Sequence, residues 1–223
     1  MIRLLICFLL TIPAYAVFAQ DIKSSDDKEA AYARTILSRS EKIVSTLGIS
    51  DSLKAKKITI IIAAQYRSLN DLYNTRDEVK LLKQGGGDKD AIAKQLTAVE
   101  EATTKQAQDL NKLFLSKLSA DLSPGQVIEV KDGMTYNVLP ITYKAFLEMI
   151  PSLSTGQKDQ IMKWLVEARE YAMAAESSEK KHWWFGKYKG RINNYLAAEG
   201  YDLQKEREGW EKRKADKSAK TVQ

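Results

Sequence analysis

Three consecutive glycines, Gly85-Gly86-Gly87, separate two long stretches of helical period, and this arrangement limits the possible folds more than any other feature of the chain. Before the glycines, Ile58, Ile62, Leu69, Leu72, Val79 and Leu82 mark one stripe of a helix expected from about Leu53 to Lys83. Ile60-Ile61-Ile62 taken alone would suit a strand, but the helical period continues through it. After the glycines, Asp88 or Asp90 caps a helix reaching about Ser119, with the stripe Ile92, Leu96, Val99, Thr103, Ala107, Leu110, Phe114 and Leu118. At ~1.5 Å per residue both helices are about 45 Å long. Two such helices joined by a short turn form an antiparallel αα-hairpin. Propensity alone rarely stabilises helices of this length, so each stripe needs a packing partner. Ile62, Leu69, Leu96, Val99 and Leu110 are the expected buried positions.

The remaining segments are also helical in period. A helix is expected from Asp26 to Leu47 after a loose stretch at 20–25, ended by Gly48, with Ser50 or Ser52 capping the next. Leu122-Ser123-Pro124-Gly125-Gln126 recurs as Leu153-Ser154-Thr155-Gly156-Gln157, and each copy reads as a capping box. The first box starts a short helix ending near Asp132-Gly133. Met134 to Leu139 is expected to be extended, followed by a helix from Ile141 to Ile150 that Pro151 ends. The second box starts a helix from Gly156 to about Ser177. Gly186 should break the chain, with further helices over Lys187–Ala198 and Leu203–Lys214, separated by a Gly200 C-cap and an Asp202 N-cap. No strand pattern occurs. The fold class is all-α: a helical bundle built on a long antiparallel αα-hairpin with shorter C-terminal helices. It forms one domain over 20–214, followed by a flexible basic tail over 215–223.

The chain opens with Met1-Ile2-Arg3, an apolar run from Leu4 to Leu10, and small residues to Ala19, the pattern of a secretory signal peptide over 1–19. Cleavage is expected after Ala19, or else after Ala16. Export to the periplasm or outside the cell follows. The only cysteine, Cys7, lies inside the apolar core and is unsuited to lipid attachment, so the mature chain has none and must be stabilised by its core alone. No second apolar run reaches membrane-spanning length. Residues 180–223 hold 12 Lys and Arg against 6 Asp and Glu, whereas residues 20–179 hold 22 against 23. The excess positive charge therefore lies at the C-terminal end and favours an acidic partner there. Export argues against nucleic acid.

Several chemistries lack their parts. Gly85-Gly86-Gly87 is not followed by the Lys-Ser/Thr of a phosphate loop. With one histidine and no mature cysteine, zinc has no ligand set, and no Asp-x-Asp-x-Asp-Gly calcium loop occurs. His182, in Lys180-Lys181-His182-Trp183, has no carboxylate near it in sequence. Carboxylate pairs such as Glu167 and Glu170 read as solvated helix faces. No catalytic residue, metal or cofactor is assigned, and enzymatic activity is not expected.

The run from His182 to Tyr195 concentrates rings and cations. Trp184, Tyr188 and Tyr195 share a helical face with Arg191 between them. Trp183, Trp184, Tyr188 and Tyr195 could stack on sugar rings, Lys187 and Arg191 could pair with carboxylates, and Asn194 could hydrogen-bond hydroxyls. These seven residues are the candidate ligand-binding set. At least two of the rings should be accessible beside Lys187 or Arg191, since unpaired cations do not bury cheaply. The same rings could equally act as a clasp that locks a helix onto the bundle.

Lys187 to Leu196 with Gly200-Tyr201-Asp202-Leu203, and Met134 to Pro140 with Phe146 to Leu153, resemble a secreted bacterial family of unknown function. The resemblance covers nearly all the mature chain. The family is described as sugar-binding, and it resembles proteins encoded among polysaccharide-use genes. It implies a compartment and a theme, with no reaction or site residues. The two Leu-Ser-x-Gly-Gln boxes also resemble the helix starts of small periplasmic helical chaperones. The leading expectation is a non-enzymatic protein that binds an acidic polysaccharide or oligosaccharide. A chaperone-like or adaptor protein with an apolar groove, and a polysaccharide hydrolase or lyase with an unrecognised site, are the alternatives.

Overall fold

A computed structural model describes residues 15–83 and 88–221, with side chains over 27–81 and 88–218. The glycine turn, most of the expected signal peptide and the last two residues lie outside the described residues. Eight helices and no strand occur among those described: α1 (Tyr15–Val44), α2 (Ser52–Lys83), α3 (Lys89–Ser119), α4 (Pro124–Met134), α5 (Val138–Met149), α6 (Thr155–Met173), α7 (Ser178–Ala198) and α8 (Leu203–Thr221). No helix among them is long and apolar enough to cross a membrane.

α2 and α3 pack antiparallel. Lys57, near the start of α2, pairs with Asp121 just past the end of α3, while Arg76 and Lys80 near its far end both reach Glu100. α1 lies along α2, and α4 closes the wide end of this trio. Ile43, Val44, Leu47, Ile58, Ile62, Phe114, Leu118, Val130 and Met134 form the first core. The second core lies between α5, α6 and α7, around Phe146, Ile161, Leu165, Phe185, Ile192 and Leu196. α6 bridges the two: its last residue, Met173, packs in the first core, and the residues before it in the second.

Ile62 and Leu69 are buried as expected, but Leu96, Val99 and Leu110 are only half-buried. Thr103, Ala107, Phe114 and Leu118 are the positions of α3 that are buried instead.

Both capping boxes form. The Ser123 and Ser154 hydroxyls accept from the backbone N–H of Gln126 and Gln157, whose side-chain oxygens accept from the serine N–H groups. Each glutamine also donates to the end of a different helix: Gln126 to the Leu47 carbonyl and Gln157 to the Glu199 carboxylate. Ser154→Ala should cost about 1 kcal/mol in chemical denaturation, and an unchanged midpoint would remove the cap from the account.

Several boundaries differ from the sequence reading. α1 is already helical at Tyr15, so 20–25 is not loose. Residues 134–139 are not extended: Thr135, Tyr136 and Asn137 make a tight turn, with φ of 61° at Tyr136 and 55° at Asn137. The Asn137 N–H returns to the Asp132 carbonyl at 2.7 Å, and α5 starts at Val138 with Pro140 in its first turn, where no donor is required. α6 ends at Met173, short of Ser177. Gly186 does not break α7, because Phe185, Tyr188, Ile192 and Leu196 fix one face against α6 and outweigh a glycine penalty of about 1 kcal/mol. Gly200, at φ +93°, ends α7: the Gly200 and Tyr201 N–H groups return to the carbonyls of Ala197 and Leu196. α8 continues through 215–221 as helix, and Arg213 donates to the Glu148 and Met149 carbonyls at the end of α5.

Candidate functional site: an aromatic wall facing an amide-lined groove

Because Phe185, Tyr188, Ile192 and Leu196 face the core, the helical period sets Trp184, Arg191 and Tyr195 along the edge of α7 that meets α6. Trp184 stacks on Tyr171 of α6, with ring centres 4.4 Å apart and planes 14° from parallel. Trp183 meets Trp184 edge-on at 5.0 Å and is 52% exposed. The Lys187 ammonium lies 5.1 Å from the centre of the Trp184 ring and 5.6 Å from that of Trp183, and Lys180 approaches Trp183 at 5.5 Å. Ammonium groups over ring faces are held electrostatically while remaining in water.

Further along the edge a second group forms. The Arg191 guanidinium covers Trp164 at 4.6 Å, Tyr195 meets Trp164 edge-on at 5.3 Å, and Glu167 lies 3.9 Å from Arg191. Asn194 is exposed on the outer face. Tyr188 is only 5% exposed and lies beneath Tyr171, so it supports the wall rather than presenting a ring. Burial pushes its hydroxyl far above the usual tyrosine range, and the Glu167 carboxylate adds to this, so it stays protonated.

The Trp184–Tyr171 pair walls a groove of about 390 Å³. The opposite wall comes from α3, with Thr104, Gln108, Asn111 and Lys112. Asn111 Oδ1 is buried and has no hydrogen-bond partner, an arrangement that costs stability unless a ligand or water donates to it. At the groove's end, Tyr73 donates to the Ala174 carbonyl at 2.6 Å. Burial, with Glu176 second, raises the Tyr73 pKa, so its hydroxyl also remains a donor. Tyr171 is 42% exposed. Aromatic rings opposite amides and hydroxyls, with Lys112 and Glu170 also in the lining, have the chemistry to hold a sugar ring.

The sequence-derived set is therefore divided. Trp184 lines the groove, Trp183 and Lys187 pack on Trp184 outside the lining, and Arg191 and Tyr195 belong to the second cluster. Tyr171, Gln108, Asn111 and Trp164 were missed, because Tyr171 lies in a run that reads as solvated and α3 reads as an ordinary bundle helix. Among the described residues, no group of three or more His, Cys, Asp or Glu side chains could hold a metal ion.

Fold and groove together define an all-α bundle with a groove beside a stacked aromatic pair. Residues 33–215 match the model of a family described as Protein of unknown function (DUF3826), and the chain belongs to that family. None of the curated proteins matches it.

Proposed function

We propose that the protein is exported and binds an acidic carbohydrate in the groove between α3 and the α6–α7 edge, without chemical conversion. The observation that carries this reading is the stacked Trp184–Tyr171 pair across the groove from Thr104, Gln108 and Asn111 of α3. Sugar hydroxyls would bond the polar side chains of α3 while the apolar part of the ring lies against the aromatic wall. Lys187, over the Trp184 ring, favours a carboxylated sugar over a neutral one. The N-terminal leader pattern and the basic segment 180–223 support export and an anionic ligand.

The test is calorimetry against polygalacturonate, alginate and dextran, with product analysis of the same samples. The acidic polymers should bind more tightly than dextran and come through unchanged in length. Trp184→Ala with Asn111→Ala should weaken binding roughly tenfold or more, the combined loss of one stacked ring and one hydrogen bond, with helical circular dichroism retained. Binding by none of the polymers, or undiminished binding by the double variant, would sink the proposal. Shortened products would turn the reading to a hydrolase or lyase. A second reading, an adaptor that grips apolar segments, rests on exposed Ile60 and Leu113 beside a narrow α2–α3 groove.

A further inference from the structure

The opposite edge of α7 leads to a different cavity. There His182 stacks on Tyr136, with centres 5.1 Å apart and planes 18° from parallel. Tyr136 and Asn137 form the rim of a cleft of about 710 Å³ between α1, α2 and the end of α4. This is the largest cavity described, and four features set it apart from ordinary surface relief.

The first is backbone conformation. Tyr136 and Asn137 are the only non-glycine residues among those described with positive φ, and they are adjacent. Asparagine tolerates the left-handed region, but a bulky tyrosine adopts it at a cost in energy, and such positions concentrate where a side chain must be aimed. Here the conformation carries the Tyr136 ring to the cleft, where it remains 40% exposed.

The second is charge. Arg39 and Lys42 line the cleft from α1, and neither makes an ion pair among the described residues. Behind the wall, Lys181 is buried and donates to the Met134 carbonyl at 3.1 Å, with its ammonium 5.5 Å from the centre of the Tyr66 ring. Of the two carboxylates in the lining, Asp132 is offset by Arg169 at 2.8 Å, which leaves only Glu129 against three cations.

The third is hydrogen bonding. Tyr66 lines the cleft, and burial, with Tyr136 second, pushes its pKa up to about 12, so it offers a neutral donor. The fourth is a close fit of the floor. A Cβ on Gly133 would lie 2.9 Å from Ile43 Cγ1, so the absence of a side chain there lets α4 approach α1 and shapes the base of the cleft.

We propose that this cleft is a second binding site, independent of the α3–α7 groove, which takes a small carboxylate-bearing sugar such as a single hexuronic acid. Arg39 and Lys42 pair with the carboxylate, the Tyr136 ring stacks on the sugar, and the Tyr66 hydroxyl donates to a ring hydroxyl.

The experiment is a titration of the full chain with glucuronate, galacturonate and glucose, followed by backbone amide NMR. One or both uronates should shift the Asn137 and His182 amides, and glucose at the same concentration should leave them in place. Arg39→Ala with Lys42→Ala should weaken this response on the order of tenfold or more, since both side chains are exposed and their loss leaves the core intact. The Trp184→Ala, Asn111→Ala variant should retain the response, so that failure of the groove reading leaves this one standing. The proposal is overturned if neither uronate moves these amides, if glucose moves them equally, or if the response survives loss of both cations.

Discussion

Arg169→Ala should destabilise the fold by about 3–5 kcal/mol, the usual consequence of stranding a buried charge. Arg169 Nη1 lies 2.8 Å from Asp132 Oδ1, and both side chains are largely shielded from water. The arginine sits on α6 between the two cores, so the pair fastens α4 to the helix that both cores share. Truncating the arginine leaves Asp132 to be hydrated through a wall that also carries Met134 and Met173. Asp132→Leu combined with Arg169→Met should recover most of the loss, because an apolar pair of similar volume avoids desolvating either charge. Urea unfolding of both variants provides the measurement. A single variant within 1 kcal/mol of the parent would mean that the pair does not join the two halves.

The second large effect is pH-dependent. Burial, with Arg39 second, lowers the Lys181 pKa from 10.5 to about 8. Between those values the unfolded chain keeps a proton that the folded chain has released, so the lysine's contribution favours folding increasingly as pH rises through this window. At neutral pH the protonated amine is carried at a cost. Lys181→Met has no such group, so the stability of the parent relative to the variant should rise by about 3 kcal/mol between pH 7 and pH 10.5. The raised Tyr66 pKa acts in the opposite direction above pH 10, but it is common to both proteins and cancels from their difference. A difference that stays flat across the range would place the Lys181 amine in water.

What was legible in the sequence was local. Ser123 and Gln126, or Ser154 and Gln157, satisfy each other within one turn, so their chemistry shows in a five-residue window. Gly186 misled for the opposite reason: its penalty is local, whereas the burial of Phe185, Tyr188 and Ile192 that outweighs it depends on α6. The stretch 134–139 was expected to be extended, yet the α4–α5 corner is made by two adjacent left-handed residues, one of them a tyrosine that local propensity disfavours there. At the site, the rings of α7 could be picked out by composition. Their partners could not, since Tyr171 and Asn111 join them only through the crossing of three helices. Lys181 and Arg169 are one charge among many in the sequence, and only packing shows that they are enclosed.

The groove has one wall on the hairpin and the other on α6 and α7, and one end of it is tied by the Tyr73–Ala174 hydrogen bond and the Arg76–Glu176 ion pair. The orientation of the hairpin and the occupancy of the groove are therefore thermodynamically linked. A ligand that spans both walls binds one lean of the hairpin better than others and draws the population towards it. By reciprocity, whatever grips the far end of α2 and α3 and holds that lean must tighten ligand binding by the same factor. The part of α2 beyond Tyr73, about 15 Å at ~1.5 Å per residue, thus makes the hairpin a handle through which an event at its far end can be felt as affinity.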